Sequence, residues 1–115
     1  MADEIAERGD IWIVDLEPGT HRELHKKRPA LVFSENVINQ KSFSVIVIPI
    51  SSQVPHTIGP EMVTIGEKEG LEKQSVLLPI FIRSIDQKRL MKKVGSLERD
   101  KLEEVIKAVK LLLSL

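Results

Sequence analysis

Alternation is the first pattern along this chain. In "DIWIVDL" (10–16), Ile11, Ile13 and Asp15 fall on one side and Trp12, Val14 and Leu16 on the other. That period of two predicts a strand. Residues 1–8 precede it as a polar arm that ends at Gly9. "EPGTHRELHKKRP" (17–29) is strongly polar and holds Pro18, Gly19 and Pro29, which predicts a loop. It is long for a hairpin connection, and long ordered loops more often carry function. "ALVF" (30–33) predicts a second strand, and "SENVINQKS" a turn-rich connection. "FSVIVIPI" (43–50) is β-branched and almost wholly apolar, the pattern of a strand buried on both faces. After the loop "SSQVPHTIGP", "EMVTIG" (61–66) predicts a strand, and "EKEGLEKQ" a charged turn around Gly70. "SVLLPIFIRSI" (75–85) is strand-like, with Pro79 placing it at an edge or a bulge.

The period changes in "SLERDKLEEVIKAVKLLLSL" (96–115). Leu102, Val105, Ile106, Val109, Leu112 and Leu113 follow helical spacing. Ser96 or Glu98 is the cap, and Glu103 and Lys107 stand i,i+4 in the favourable order. Ala108, Leu111 and Leu115 add a second apolar edge, which faces either a partner subunit or a deeper part of the same core. Several short strands followed by one helix predict a mainly β domain with a C-terminal α-helix. A small, partly closed antiparallel barrel with the helix packed at one end fits that order.

Length and composition narrow the picture. The 115 residues form one domain, 1–115, with a single modest core. Seventeen basic and seventeen acidic residues cancel, so phosphate binding requires local clustering rather than net charge. The absence of cysteine excludes disulfides and thiolate metal sites and fits a reducing compartment. "MADEIAERGD" has no apolar stretch of a signal peptide, and no segment is long and apolar enough to span a bilayer. The expectation is a soluble cytoplasmic protein with no membrane association.

There is no P-loop, no GxGxxG and no GxSxG. His21 and His25, with Glu23 between them, would share a helix face suited to a metal. Flanking Pro-Gly and Arg-Pro oppose a sustained helix, and the neighbouring cations oppose a metal ion. No metal and no cofactor are therefore expected. The run His25, Lys26, Lys27, Arg28 answers better to phosphate. Arg28 carries a planar fork of donors that fits phosphate oxygens, and Pro29 biases its backbone towards an extended form at the strand's root. Lys26 and Lys27 read as loose backbone contacts or as a solvated face. In "PISSQ" (49–53), a very apolar strand ends abruptly in Ser51, Ser52 and Gln53, either as a site or as an ordinary turn.

These pieces, in this order, resemble the MazF/PemK (Kid) toxins of toxin–antitoxin pairs. The resemblance runs from "RGDIWIVDLEP" (8–18), through Glu23 five residues before "RPALV" (28–32), to "VIVIPISSQ" (45–53). It continues in "GLEKQSVLLPIFIRSIDQKRL" (70–90) and the closing helix. It implies an SH3-like half-open barrel of the MazF/PemK/CcdB kind, assembled as a homodimer. The implied activity is metal-independent, sequence-specific cleavage of single-stranded RNA by 2′-hydroxyl attack, leaving a 2′,3′-cyclic phosphate and a 5′-hydroxyl. The implied catalytic residues are Arg28 and Ser51. Glu23, His25, Lys26, Lys27, Ser52 and Gln53 are the expected RNA-binding residues. A cognate antitoxin with an acidic C-terminal segment is the expected partner. The alternative is a non-cutting nucleic-acid binder or a gyrase inhibitor resembling CcdB. The chain departs from the family pattern at His21, Leu24 and His25, and Ile80 takes the place of an aspartate used by the Kid branch. Glu23 and His25 are the titratable groups nearest Arg28 in sequence, each with a plain alternative as a loop-bracing or solvent-exposed side chain.

Overall fold

The structure is a computed structural model and describes residues 4–16 and 27–115. Seven strands, β1 (Asp10–Asp15), β2 (Lys27–Val32), β3 (Ser44–Ser51), β4 (Val63–Ile65), β5 (Ser75–Leu77), β6 (Arg83–Asp86) and β7 (Leu90–Ser96), form one sheet. Helix α1 (Asn36–Lys41) joins β2 to β3, and α2 (Arg99–Leu113) closes the chain. The order is β4-β5-β3-β2-β1-β7, with β6 also paired to β3, and every pairing is antiparallel. The β1–β7 register shifts twice, between Ile11 and Trp12 and between Ile13 and Val14. Such irregularities bend a sheet and raise its twist, here towards a half-open barrel.

The alternation of β1 decides where the core sits. Ile11 lies opposite Leu31, which lies opposite Ile48, and this row joins Val105, Ala108 and Val109 of α2 in one apolar cluster. Trp12 and Val14 point the other way and join Ala30, Val32, Val45, Val47 and Ile85 in a second. The central strands therefore bury both faces. Full burial of a side chain such as Val105 is worth about 1.5–3 kcal/mol. Ala6, in the N-terminal arm, is buried in the second cluster, so the described part of that arm is tied down. Asp10 helps to hold it, because its Oδ2 accepts from Glu7 N at 2.9 Å and its Oδ1 pairs with Lys93 at 3.4 Å.

Several boundaries differ from those expected. The second strand begins at Lys27 rather than Ala30, because Asp15 and Val14 pair with Lys27 and Arg28. "SENVINQKS" contains α1 rather than only turns. Glu35 accepts from Val37 N at its start, and Gln87, distant in sequence, donates from Nε2 to Asn39 O and Ser42 O at 2.7 and 2.8 Å. Those tertiary bonds support a helix too short for periodicity to reveal. Residues 75–85 are not one strand. Pro79 opens a 3₁₀ turn, Pro79–Phe81, that separates β5 from β6, consistent with its lost donor. Strand β7 forms in a lysine-rich run, LMKKVGS, that carries no clean alternation. Glu98 caps α2 without a side-chain hydrogen bond, and Glu103 faces Arg99 at 4.0 Å. Ala108 is buried, whereas Leu111 and Leu115 are exposed, so the second apolar edge is only partly covered; Leu113, of the first stripe, is exposed as well.

A candidate phosphate site at the ends of β2 and β3

Arg28 is the second residue of β2 and pairs with Val14 of β1. Pro29 follows it and pairs with Ile13. The backbone at Arg28 is thus set by a sheet rather than by the preceding loop. Its side chain is half-buried, and Nη1 donates to the Ile50 carbonyl across the sheet at 3.4 Å. Antiparallel pairing runs Val32 to Val47, Leu31 to Ile48 and Ala30 to Pro49. Continued by two residues, that register sets Arg28 opposite Ser51. Side chains alternate faces along a strand, so Arg28 and Ser51 share a face.

Ser51 ends β3 and is also held from the other side by Val76 of β5. Its Oγ accepts from Gln53 N at 3.1 Å, a turn that fixes the oxygen. A hydroxyl that accepts still has its proton to donate. A guanidinium that reaches the carbonyl of Ile50, the neighbour of a hydroxyl fixed at the strand end, presents donor types suited to phosphoryl oxygens. Lys27, Ser52 and Gln53 are exposed around the pair. Glu23, His25 and Lys26 lie outside the described residues, as do His21 and Leu24. Among the described residues, no three His, Cys, Asp or Glu side chains gather to hold a metal ion.

A second guanidinium also lies at this end of the sheet. Arg89, next to the Leu90 that pairs with Val14, donates from Nη1 to Asp15 O at 3.0 Å, so a second guanidinium ties down the end of β1. It belongs to "QKRLMKK", a basic run whose lysines mask the period of a strand. Ile80 is exposed on the turn after β5, where Leu78 N donates to Pro49 O at 3.0 Å. No carboxylate stands at that position.

A mainly β half-open barrel with a C-terminal helix is the fold of solved MazF toxins. Residues 7–113 match the family model of the PemK-like, MazF-like toxin of type II toxin–antitoxin systems, and the chain belongs to that family. It is 35% identical over 112 residues to the endoribonuclease EndoA of Bacillus subtilis, covering 96% of this chain and 97% of that protein. The MazF crystal structure from Deinococcus radiodurans superposes with a TM-score of 0.84 at 25% identity, covering 98% of this chain and all of that one, 100%. A MazE–MazF structure from the same organism gives 0.74 at 25% identity, with 98% and 100% covered. The chain is a toxin of the endoribonuclease type. Among the described residues, no helix is long and apolar enough to cross a membrane.

Proposed function

We propose that Arg28 and Ser51 form the catalytic pair with which this endoribonuclease toxin cuts single-stranded RNA without a metal. What supports the assignment is the reach of the Arg28 guanidinium across the sheet to the Ile50 carbonyl, one residue before Ser51. The RNA 2′-hydroxyl attacks the adjacent phosphorus in line and expels the 5′-oxygen. The products are a 2′,3′-cyclic phosphate and a 5′-hydroxyl. Negative charge builds on the phosphoryl oxygens in the transition state, and donors already in place there lower the barrier. The Arg28 fork and the Ser51 hydroxyl are those donors. The need for a 2′-hydroxyl selects RNA over DNA. Lys26 and Lys27 draw in the backbone, and Ser52 and Gln53 contact neighbouring nucleotides.

Arginine gives up its proton very unwillingly, so another group takes the 2′ proton, and a general acid or water delivers a proton to the departing 5′-oxygen. Glu23 and His25 are the titratable side chains nearest in sequence, and substituting each in turn assigns that role. The working form is a homodimer in the cytoplasm. α2 packs against the turn that carries Ile80, and Ile80, Leu111 and Leu115 all present apolar surface to solvent. The cognate antitoxin inhibits by laying an acidic segment along the cationic RNA path.

The deciding experiment incubates the purified protein with a long, unstructured RNA in excess EDTA, beside Arg28→Ala, and maps the fragment ends. Discrete cuts ending in 2′,3′-cyclic phosphate, by the unaltered protein alone, are expected. RNA left intact across a long and varied substrate, or undiminished cutting by a folded Arg28→Ala, overturns the assignment. Sedimentation at micromolar concentration tests the dimer, and a monomer alone would refute it.

A further inference from the structure

Helix α1 is built inside out. Its buried residue is Asn39, only 2% exposed, while Val37 and Ile38 stand 52% and 51% exposed. Phe43, just past the end of the helix, is 90% exposed, and Ile46 of β3 is 41% exposed. Polar groups hold the helix where apolar ones usually do. The Ser34 hydroxyl donates to Asn39 Oδ1 and accepts from Ile46 N at 3.0 Å. Asn39 Nδ2 donates to Ser34 O at 2.9 Å, and Gln87 Nε2 donates to Asn39 O at 2.7 Å.

Neither local nor core energetics accounts for Val37 and Ile38. β-Branched residues are weaker helix formers than alanine, lysine or glutamine. Left exposed, they gain little from burial. A helix that only linked β2 to β3 would be better served by polar residues there. Clustered exposed apolar side chains of this kind mark an interaction surface.

The charges around the patch indicate what covers it. Glu35 stands at the start of α1 and Lys41 at its end. Gln87, whose N donates to Phe43 O at 2.8 Å, brings Asp86 and Lys88 to the same corner, both exposed. The signs alternate, so neither a polyanion nor an anionic lipid surface is favoured. The arrangement suits a copy of itself. Glu35, Ile38 and Lys41 follow one another along the helix at intervals of three, the spacing of neighbours on a helix surface. Two such helices laid antiparallel about a twofold axis at Ile38 set Glu35 of one copy against Lys41 of the other. An isologous contact requires self-complementarity of this kind.

We propose that α1 is a self-association surface whose occupant is the α1 face of a second copy of this chain. The contact is separate from the one assigned above to α2. The two helices rest on different supports, since α1 packs on β3 while α2 packs on β4 and on the turn that carries Ile80. A stable interface takes about 20–30 residues from each partner. A short helix and its neighbours supply fewer, so the association is weak, with a Kd of roughly 0.1–1 mM.

Sedimentation velocity from about 1 μM to 1 mM tests this on the unaltered protein and on Leu111→Lys, which removes the contact proposed at α2. A weak association step is expected in both. Ile38→Lys places like charges at the axis, and Phe43→Ser removes the most exposed of the apolar side chains. Each should weaken the step at least about tenfold, with RNA cutting by the dilute protein unchanged. Lys41→Glu and Glu35→Lys should each lose the step alone. An equimolar mixture of those two should regain it, because opposite charges then meet across the axis. Circular dichroism checks that each variant is folded. Absence of the step in Leu111→Lys at about 1 mM, a step that Ile38→Lys and Phe43→Ser leave unchanged, or a mixture that stays apart overturns the proposal. So does a face taken by the antitoxin instead, seen as weaker antitoxin binding by Ile38→Lys with no self-association step.

Discussion

Replacing Gly95 by alanine tests whether the crossing of the Gly70 turn over β7 is a close backbone contact that the fold requires. A Cβ there would meet the Glu69 carbonyl oxygen and lie 2.8 Å from its carbon and 3.1 Å from Gly70 Cα. All three are backbone atoms, so no rotamer change relieves the clash. Overpacking of this kind typically costs about 1–3 kcal/mol, and the absence of a movable side chain puts the expected loss at the upper end, about 2–3 kcal/mol. A domain near this size loses about 4 °C of Tm per kcal/mol, so the melting point should fall by roughly 10 °C. Gly66→Ala is the control, because its Cβ would meet only Gln74 Cα at 3.7 Å, an ordinary contact. Urea unfolding followed by circular dichroism should be run at one protein concentration, since association adds to apparent stability. If Gly95→Ala costs no more than Gly66→Ala, the contact is not tight.

Arg28→Lys keeps the charge but loses the planar fork, and cleavage should fall about 10²–10³-fold, the usual loss for a missing transition-state donor; single-turnover rates on one defined RNA measure it. Ser51→Ala should lose a comparable factor while Ser51→Thr retains most of the rate; equal activity in all three proteins would remove the hydroxyl from the mechanism. Asp10→Ala leaves Glu7 N, Trp12 Nε1 and Lys93 without their common partner. It should destabilise by about 2–4 kcal/mol in urea unfolding, with rates on RNA preserved at low temperature. Leu111→Lys should shift sedimentation towards monomer if the exposed end of α2 is the dimer face.

Some of this protein was legible in the linear pattern. Alternation in "DIWIVDL" and the apolar run "VIVIPI" announced strands, because each strand's environment repeats every two residues. The helical spacing of Val105 and Val109 announced α2. Arg28 stood out because a forked cation before a proline is placed by local stereochemistry. Helix α1 did not stand out, since its support comes from Gln87 across the fold. Pro79 announces an interruption but not its form, because a proline removes a donor without setting how the chain resumes.

The chain by itself therefore determined the kinds of element, the faces of β1, and the residue type that waits at the root of β2. These are properties of neighbours a few residues apart. Tertiary structure decided which groups meet. Arg28 and Ser51 are far apart in sequence, and the antiparallel pairing of β2 with β3 brings the Arg28 guanidinium to the Ile50 carbonyl beside Ser51. Gly70 and Gly95 touch because the sheet curls until the turn between β4 and β5, at one end of the strand order, meets β7 at the other. Registers and crossings arise from the sum of many weak contacts over the whole sheet, so no local stretch of sequence records them.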